Sequence, residues 1–271
     1  MNIGTRPWFG AATGLLLAAT WTGAAAASSY EEEIEGDEHP HIVRLVRDLY
    51  VVPKDAGLDT RIAEVDLAFV EQMGRHHKGA VDMAEVYLAD PRGRNPVLRQ
   101  LAQGIIANQE FEIGVLQDVR DKVGAGPRRV AGFGDSTVVV LDRGTDGLEH
   151  AWRFRKAPPP STADIWLTPE FTVSDFDVQF VRPMMDHHKA ALRMARDYNT
   201  DPFASNLILR RMNNDIVVDQ RYEIGFIDEV LSRYPGDPEE VPDAPRMMEI
   251  MHESMGDMMH GSGSRMEMPP H

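Results

Sequence analysis

The sequence has 271 residues, 42% of them hydrophobic, which is enough for one large domain or two small ones with a real core. Its formal net charge of −15 argues against nucleic acid or anionic lipid as a partner, because both are bound through Lys and Arg side chains. The absence of cysteine excludes disulfides, thiolate nucleophiles and thiolate metal sites, so any soft metal ion has to be held by methionine and histidine.

The first 27 residues have the layout of a secretory signal peptide. They contain a single charge, Arg6, followed by an apolar run at 15–17 and a small-residue end at 24–27. We expect cleavage near Ala27 and a periplasmic or secreted mature protein, with an uncleaved N-terminal anchor as the alternative. No second apolar run of this length follows, so no membrane contact beyond the signal peptide is predicted.

Residues 28–58 are predicted to form an acidic N-terminus and a short helix. The stretch 28–37 is polar and rich in glutamate, which is typical of a mobile segment. The spacing of apolar residues over 41–50 favours a short packing helix, which Pro53 ends.

Two nearly identical helices dominate the rest of the sequence, and each carries a His-His pair. Both fit the pattern FxxxMxxHHKxAxxMAxxY, which begins at Phe69 in the first copy and at Phe180 in the second. At 100° per residue the patterned positions fall on one arc of the helix, so the histidines are predicted to face inward. A buried imidazole needs a partner for each ring nitrogen, and either a side chain or a metal ion can supply it. The inward residues are Phe69, Met73, His76, His77, Ala80, Met83, Ala84 and Tyr87 in the first copy and Phe180, Met184, His187, His188, Ala191, Met194, Ala195 and Tyr198 in the second.

Each His-His helix is followed by a helix with two polar residues at inward positions. In the first copy this helix starts at Asn95, which is followed by proline. Gln109 and Glu112 then lie at helical spacing among aliphatic residues, and a buried carboxylate is costly unless it is paired. We therefore expect Glu112 to contact His76 or His77. The alternative is that this face of the helix reaches solvent at its end, so that the two polar side chains are exposed. The equivalent residues in the second copy are Gln220 and Glu223.

The internal repeat predicts an all-α fold. Each copy reads as a helical hairpin, at 59–124 and 171–235, and one hairpin cannot bury its apolar stripe alone. The two should therefore pair as a four-helix bundle with both His-His sets in its core and a pseudo-twofold axis between the His-His helices. The Gly- and Pro-rich segment 125–170 is predicted to be a crossover linker, with a short strand at 136–141 and a partner strand around 152–154.

The C-terminal segment, residues 236–271, is rich in methionine and histidine. From residue 246 onward it contains one Ile and no Leu, Val or Phe. An amphipathic methionine helix packed on the bundle is one interpretation. We favour the other, because thioethers interleaved with imidazoles are a ligand set suited to Cu(I), and such a tail would be disordered or only partly helical without metal. The candidate tail ligands are Met248, Met251, His252, Met255, Met258, Met259 and His260.

The two copies of FxxxMxxHHxxAxxMA, each followed by a helix with QxxEI, resemble the family catalogued as domain of unknown function 305. The resemblance covers about 60–121 and 171–232. It implies a ferritin-like fold and copper binding, as in the exported copper-binding proteins of that family. Members commonly carry proline directly before His-His, where this chain has Arg75 and Asp186 instead. The implied copper ligands are Met73, His76, His77 and Met83 and Met184, His187, His188 and Met194, with Gln109, Glu112, Gln220 and Glu223 as supporting partners.

Three functions of different classes remain open at this point. The first is an exported protein that binds, buffers or delivers copper, with a copper-handling protein as its partner. The second is a helical interaction module whose buried histidines only satisfy Gln109, Glu112 and their counterparts. The third is a ferritin-like iron or manganese enzyme, which needs several inward carboxylates, whereas only Glu112 and Glu223 offer them. The sequence has no nucleophile elbow, phosphate loop or zinc-protease motif, and the resemblance does not imply an enzyme.

Overall fold

The computed structural model describes residues 28–34, 43–146, 157–168 and 171–256. Within these residues the protein is mostly helical and has one small antiparallel sheet. The predicted signal peptide, residues 1–27, lies outside the described part of the chain. The helices are α1 (Arg61–Ala89), α2 (Pro96–Val123), α3 (Thr162–Leu167), α4 (Asp175–Thr200), α5 (Leu207–Leu231) and α6 (Pro245–Met255), with a 3-10 turn at Pro238–Glu240, and the strands are β1 (Ser28–Ile34), β2 (Val43–Pro53), β3 (Arg128–Phe133) and β4 (Ser136–Asp146).

Both predicted helical hairpins are present, and their second helices begin in the same way. The Asn95 side chain accepts hydrogen bonds from the first free amides of α2, and Asn206 does the same for α5. Such a cap contributes about 1 kcal/mol to helix stability. The two asparagines occupy equivalent positions in the two copies, so the repeat extends to the turns of the hairpins.

The two hairpins pack against each other through α1 and α4, which run antiparallel. The rings of Phe69 and Tyr198 lie 4.4 Å apart, and those of Tyr87 and Phe180 lie 4.3 Å apart. These two contacts are one contact repeated, because Phe180 and Tyr198 are the counterparts of Phe69 and Tyr87 in the second copy. The equivalence of the two contacts corresponds to a pseudo-twofold axis between α1 and α4.

The buried side chains form two apolar clusters, and each cluster draws on both hairpins. One contains the second half of α1 and the first half of α4, with Met83 and Met184. The other contains the first half of α1 and the second half of α4, with Met73 and Met194. The histidine pairs lie at the middle of both helices, between the two clusters.

The predicted N-terminal helix over 41–50 is wrong, because β2 occupies Val43–Pro53. Strand β2 pairs with β1 on one side and with β4 on the other, and β3 completes the sheet in the order β1-β2-β4-β3. The prediction of a mobile segment at 28–37 is wrong over Ser28–Ile34 for the same reason, since this stretch is β1. A short apolar run has no decisive periodicity of its own, and a partner strand decides its conformation. The all-α class is therefore corrected to a mainly helical fold with a small sheet.

The segment 125–170 contributes the other half of that sheet. The predicted strand at 136–141 is present and is longer than expected, running over Ser136–Asp146. Its neighbours are β2 and β3, whereas the predicted partner around 152–154 lies outside the described residues.

One buried arginine ties this sheet to the helices. The Arg143 side chain is 1% exposed and donates to Asp48 on β2 at 2.7 Å and to Asp66 on α1 at 2.6 Å. Asn206 donates to the Arg143 carbonyl oxygen at 3.0 Å. The sheet is thereby joined to both hairpins at one end of the α1–α4 pair.

The last helix, α6, packs on α1 and α4. Its residues Met247, Ile250, Met251 and Met255 are buried in the apolar core. The tail, which is expected to be disordered or only partly helical without metal, is helical over Pro245–Met255, where methionine acts as a packing residue. No helix in the described part of the chain is both long and apolar enough to cross a membrane.

Candidate functional site

The four histidines meet where α1 crosses α4, and none of them is exposed to solvent. The rings of His76 and His187 lie against each other, with centroids 3.6 Å apart and planes inclined by 32°. The ring centroid of His77 lies 6.2 Å from that of His76, and the ring centroid of His188 lies 6.5 Å from that of His187. The repeat therefore brings two equivalent imidazoles into direct contact on the pseudo-twofold axis and puts one further imidazole beside each.

The predicted meeting of carboxylate and histidine occurs in both repeats. Glu112 Oε2 lies 3.0 Å from His77 Nε2, and Glu223 Oε2 lies 2.7 Å from His188 Nε2. Both carboxylates are almost fully buried. The distances are those of hydrogen bonds, but neither Nε2 has an aligned hydrogen-bond partner. Each pair is therefore a close polar contact without the geometry of an aligned hydrogen bond.

Gln109 and Gln220 are also buried, one helical turn before these glutamates. Each is 3% exposed. In neither glutamine does Oε1 have a hydrogen-bond partner in the described residues. The predicted group of supporting side chains is thus present on both helices that flank the histidines, and the glutamine oxygens remain available as acceptors.

Most of the imidazole nitrogens also lack a hydrogen-bond partner in the described part of the chain. This applies to Nδ1 of all four histidines and to Nε2 of His76. His187 Nε2 differs, because it lies 3.2 Å from Ser254 Oγ on α6. A buried polar atom without a partner costs about 1–3 kcal/mol. A set of such atoms at one place is a site where a cation or a polar ligand would compensate that cost.

Burial keeps the central imidazoles neutral. Desolvation lowers the pKa of both His76 and His187 well below the ordinary value of 6.5, and the neighbouring imidazoles lower it further. Neutral imidazole is the form of histidine that binds metal ions. His76 and His187 can therefore donate lone pairs at neutral pH and in mildly acidic solution.

The patterned methionines are buried but are divided between the two apolar clusters. Met73, Met83 and Met184 have no solvent exposure, and Met194 is 8% exposed. Met73 and Met184 lie one helical turn before the His-His pairs. All eight predicted ligands thus face the interior of the α1–α4 pair, and only the histidines are known to contact one another.

Chelation by charged residues has no support in the described residues. No group of three or more His, Asp or Glu side chains there is arranged so that it could hold a metal ion. Any metal ion at the histidine core, formed by His76, His77, His187 and His188, would therefore need thioether donors beside the imidazoles or a rearrangement of the histidine side chains.

The tail candidates are separated by the docking of α6. Met251 and Met255 are buried in the core, Met248 is half-buried, and His252 is exposed. The methionine face of α6 is thus turned to the bundle, and copper binding by the tail stays a prediction. Met258, Met259 and His260 lie outside the described residues.

Sequence reasoning missed a pair of buried aspartates. The Tyr87 hydroxyl donates to Asp177 at 2.5 Å, and the Tyr198 hydroxyl donates to Asp66 at 2.7 Å. The signal was available, because Asp66 and Asp177 also occupy equivalent positions, each one helical turn before the first phenylalanine of the repeat pattern. Ser254 was also missed, and the sequence carried no signal for it, since it lies on an element outside the repeat.

A family model described as "Domain of unknown function (DUF305)" matches residues 54–120, 161–231 and 177–268, which together are more than half of the chain. The chain belongs to the DUF305 family. The matched DUF305 segments contain both His-His helices, the two helices that carry Glu112 and Glu223, and α6. No curated protein and no solved structure matches the chain.

Proposed function

We propose that this DUF305 protein is an exported copper-binding protein that holds Cu(I) in its histidine core. The observation that carries the proposal is the group of four fully buried imidazoles whose Nδ1 atoms have no hydrogen-bond partner in the described residues. A structural role for all four would normally provide such partners, because unsatisfied buried polar atoms are costly.

The chemistry of the surrounding donors favours Cu(I) over harder ions. Thioethers are soft ligands that favour Cu(I), and imidazole also suits copper, whereas manganese and magnesium sites rely on carboxylate and water oxygens. Met73 and Met184 are fully buried one turn from the histidines. The ligands we propose are His76, His77, His187 and His188 with thioethers from Met73, Met83, Met184 and Met194.

The finer fold and the location of the protein belong to the same proposal. We infer that the two hairpins form a ferritin-like four-helix bundle, which is supported by the antiparallel packing of α1 and α4. Export is supported by the sequence of residues 1–27 alone. In an exported protein without cysteine, buffering of copper or its transfer to a copper-handling partner is the role that such a site would serve.

Metal content separates this proposal from its two alternatives. The purified full chain is exposed to copper, iron, zinc and manganese together and then analysed for bound elements. We expect copper to be retained. Retention of iron or manganese would favour a metalloenzyme, and retention of no metal would favour an interaction module with structural histidines.

The ligands are tested by substitutions that keep the shape of the core. Leucine is close to methionine in volume, so a Met73→Leu/Met184→Leu variant should fold but lose thioether donors. We expect its Cu(I) affinity, measured by competition with a coloured chelator, to fall. The matched control is Met185→Leu, because Met185 is half-buried beside Met184 but outside the repeat pattern. An unchanged affinity in the double variant would remove the methionines from the site.

The histidines are tested by the copper content of the purified protein. Replacing His76, His77, His187 and His188 by Ala should lower bound copper by at least one equivalent per chain, in protein whose helix content is verified by circular dichroism. Undiminished copper binding in a folded variant would refute the histidine core as the copper site.

A further inference from the structure

The two central histidines are equivalent in sequence but not in their contacts. His187 Nε2 lies 3.2 Å from Ser254 Oγ, whereas neither nitrogen of His76 has a hydrogen-bond partner in the described residues. The difference arises from α6, which carries Ser254 and packs beside α1 and α4. The pseudo-twofold symmetry of the histidine core is therefore broken by one hydroxyl group.

The direction of this hydrogen bond follows from a second contact of the same hydroxyl. Ser254 Oγ lies 3.0 Å from the carbonyl oxygen of Met251, which can only accept. The single hydroxyl proton is therefore committed to Met251. The oxygen is left as an acceptor towards His187, so the proton of that hydrogen bond has to come from Nε2.

We propose that Ser254 is a positioning residue that holds neutral His187 in the tautomer with the proton on Nε2, and so makes Nδ1 the lone-pair donor of this histidine. His187 Nδ1 is the nitrogen without a hydrogen-bond partner in the described residues. A hydrogen bond at one ring nitrogen fixes which nitrogen is free to bind a metal ion. The tautomer is a property of the metal-free protein, and only its consequence for copper rests on the proposed function.

The close approach of Ser254 depends on a glycine in α1. A Cβ atom at Gly79 would lie 2.2 Å from Ser254 Cβ and 3.2 Å from His187 Nε2, so no larger residue fits there unless α6 moves. The equivalent position in the second repeat is Ala190. The first repeat is thus specialised to admit α6, which explains why the hydroxyl reaches His187 and has no counterpart at His76.

The consequence is a division of roles between the two stacked imidazoles. His187 presents the lone pair of Nδ1 before any ligand arrives, because its ring proton is on Nε2 and is donated to Ser254 Oγ. No side chain in the described residues holds either ring nitrogen of His76, so no hydroxyl group presets its tautomer. An ion bound at the core would therefore have one preset donor and one adaptable donor.

Nuclear magnetic resonance of the metal-free full chain with ¹⁵N-labelled histidine tests the tautomer directly. Long-range ¹⁵N–¹H correlations distinguish the protonated from the unprotonated ring nitrogen. We expect His187 to be protonated on Nε2 alone, and Ser254→Ala to abolish this preference. The matched control is Ser232→Ala, because the Ser232 hydroxyl also donates to a backbone carbonyl, that of Glu229, but is remote from the histidines. Protonation of wild-type His187 on Nδ1, or an unchanged tautomer in Ser254→Ala, would overturn the proposal.

A second variant reaches the same contact from the opposite side. Gly79→Ala leaves the serine in place but removes the space that it needs, so we expect the same loss of the Nε2 tautomer. Gly74→Ala is its control, because it adds the same methyl group to α1 at a position where no heavy atom lies within 4 Å. A Gly79→Ala protein that is folded and keeps the Nε2 tautomer would contradict the role of the close approach.

The copper consequence is measured separately. Loss of a partner that orients a metal-binding histidine costs about 10-fold to 100-fold in metal affinity, so we expect a fall of about this size in Cu(I) affinity for Ser254→Ala. A wild-type chain that binds no copper but has the Nε2 tautomer would refute the proposed function and leave this inference standing. An unchanged affinity in a variant whose tautomer is lost would show that Nδ1 of His187 is not a copper donor.

Discussion

The two ends of the α1–α4 pair carry the same tyrosine–aspartate hydrogen bond in different surroundings. At one end Tyr87 donates to Asp177, whose other oxygen is bonded by the Ser174 backbone amide and hydroxyl in a helix cap. At the other end Tyr198 donates to Asp66, whose other oxygen is bonded by Arg143. The repeat reproduces the contact, and the sheet adds a buried charge to only one copy of it.

This difference shows how a duplicated hairpin acquires two distinct ends. The second oxygen of Asp177 is satisfied by the cap of its own helix, so this end needs no residue of the sheet. Burial raises the pKa of Asp66 above its ordinary value, and Arg143 is the largest influence that opposes the rise. The ion pair between Asp66 and Arg143 at the other end therefore exists only while β4 holds Arg143 in place.

Removal of the buried cation should have the largest effect. Arg143→Leu leaves Asp66 and Asp48 without their arginine, and loss of one partner of a buried ion pair costs about 3–5 kcal/mol. Unfolding in urea at neutral pH measures this loss. The loss should shrink as the pH is lowered and Asp66 becomes protonated. Arg128→Ala is the control, because its contact with Asp142 is half-exposed and should contribute less than about 1 kcal/mol. Equal losses in the two variants would contradict a special role of the buried end.

The histidine core between the two ends should make stability depend on pH. The pKa of His76 and His187 is lowered in the folded protein, so below about pH 6.5 the unfolded chain binds protons that the native core does not. Stability should therefore fall as the pH decreases from 6.5 towards the lower folded pKa values, by up to about 1.4 kcal/mol per pH unit for each histidine. The comparison of metal-free wild type with His76→Gln/His187→Gln isolates this slope. Parallel curves for the two proteins would show that these histidines do not titrate differently on unfolding.

The tyrosine hydroxyls should contribute equally at the two ends. Tyr87→Phe and Tyr198→Phe each leave one buried carboxylate oxygen without its tyrosine donor, and such a loss costs about 1–3 kcal/mol. We expect the two losses of unfolding free energy to agree within about 0.5 kcal/mol, because the second oxygen of each aspartate keeps its own partners. A much larger loss at Tyr198 would mean that the Arg143 ion pair depends on the tyrosine.

The helix caps should make the smallest contributions to stability. Asn95→Ala and Asn206→Ala each remove a cap that contributes about 1 kcal/mol. Asn206 also donates to Asp66 and to the Arg143 carbonyl, whereas Asn95 donates to the Thr172 carbonyl. We therefore expect Asn206→Ala to be the more destabilising of the two in thermal unfolding. The reverse order would exclude Asn206 from the buried network.

The candidate site was largely predictable because its pattern is local. Helical periodicity placed the histidines and Met73 on the buried face, and the repeat predicted that Glu112 meets a histidine of the preceding helix. The structure selects His77 as that partner. The prediction did not include the contact between His76 and His187, because a spacing along one helix does not state which residues of another helix lie opposite.

By itself the sequence determined the two hairpins, their caps, their buried faces and the positions of the histidines. These features depend on residues within a few turns of one another, where propensity and periodicity act directly. Only the tertiary structure decided that Val43–Pro53 is a strand, that Arg143 reaches Asp66 and that α6 turns its methionines inward. In each of these cases the deciding partner is distant in sequence. The same holds for Ser254, whose hydroxyl acquires a role only because Gly79, far from it in the chain, leaves room for it beside His187.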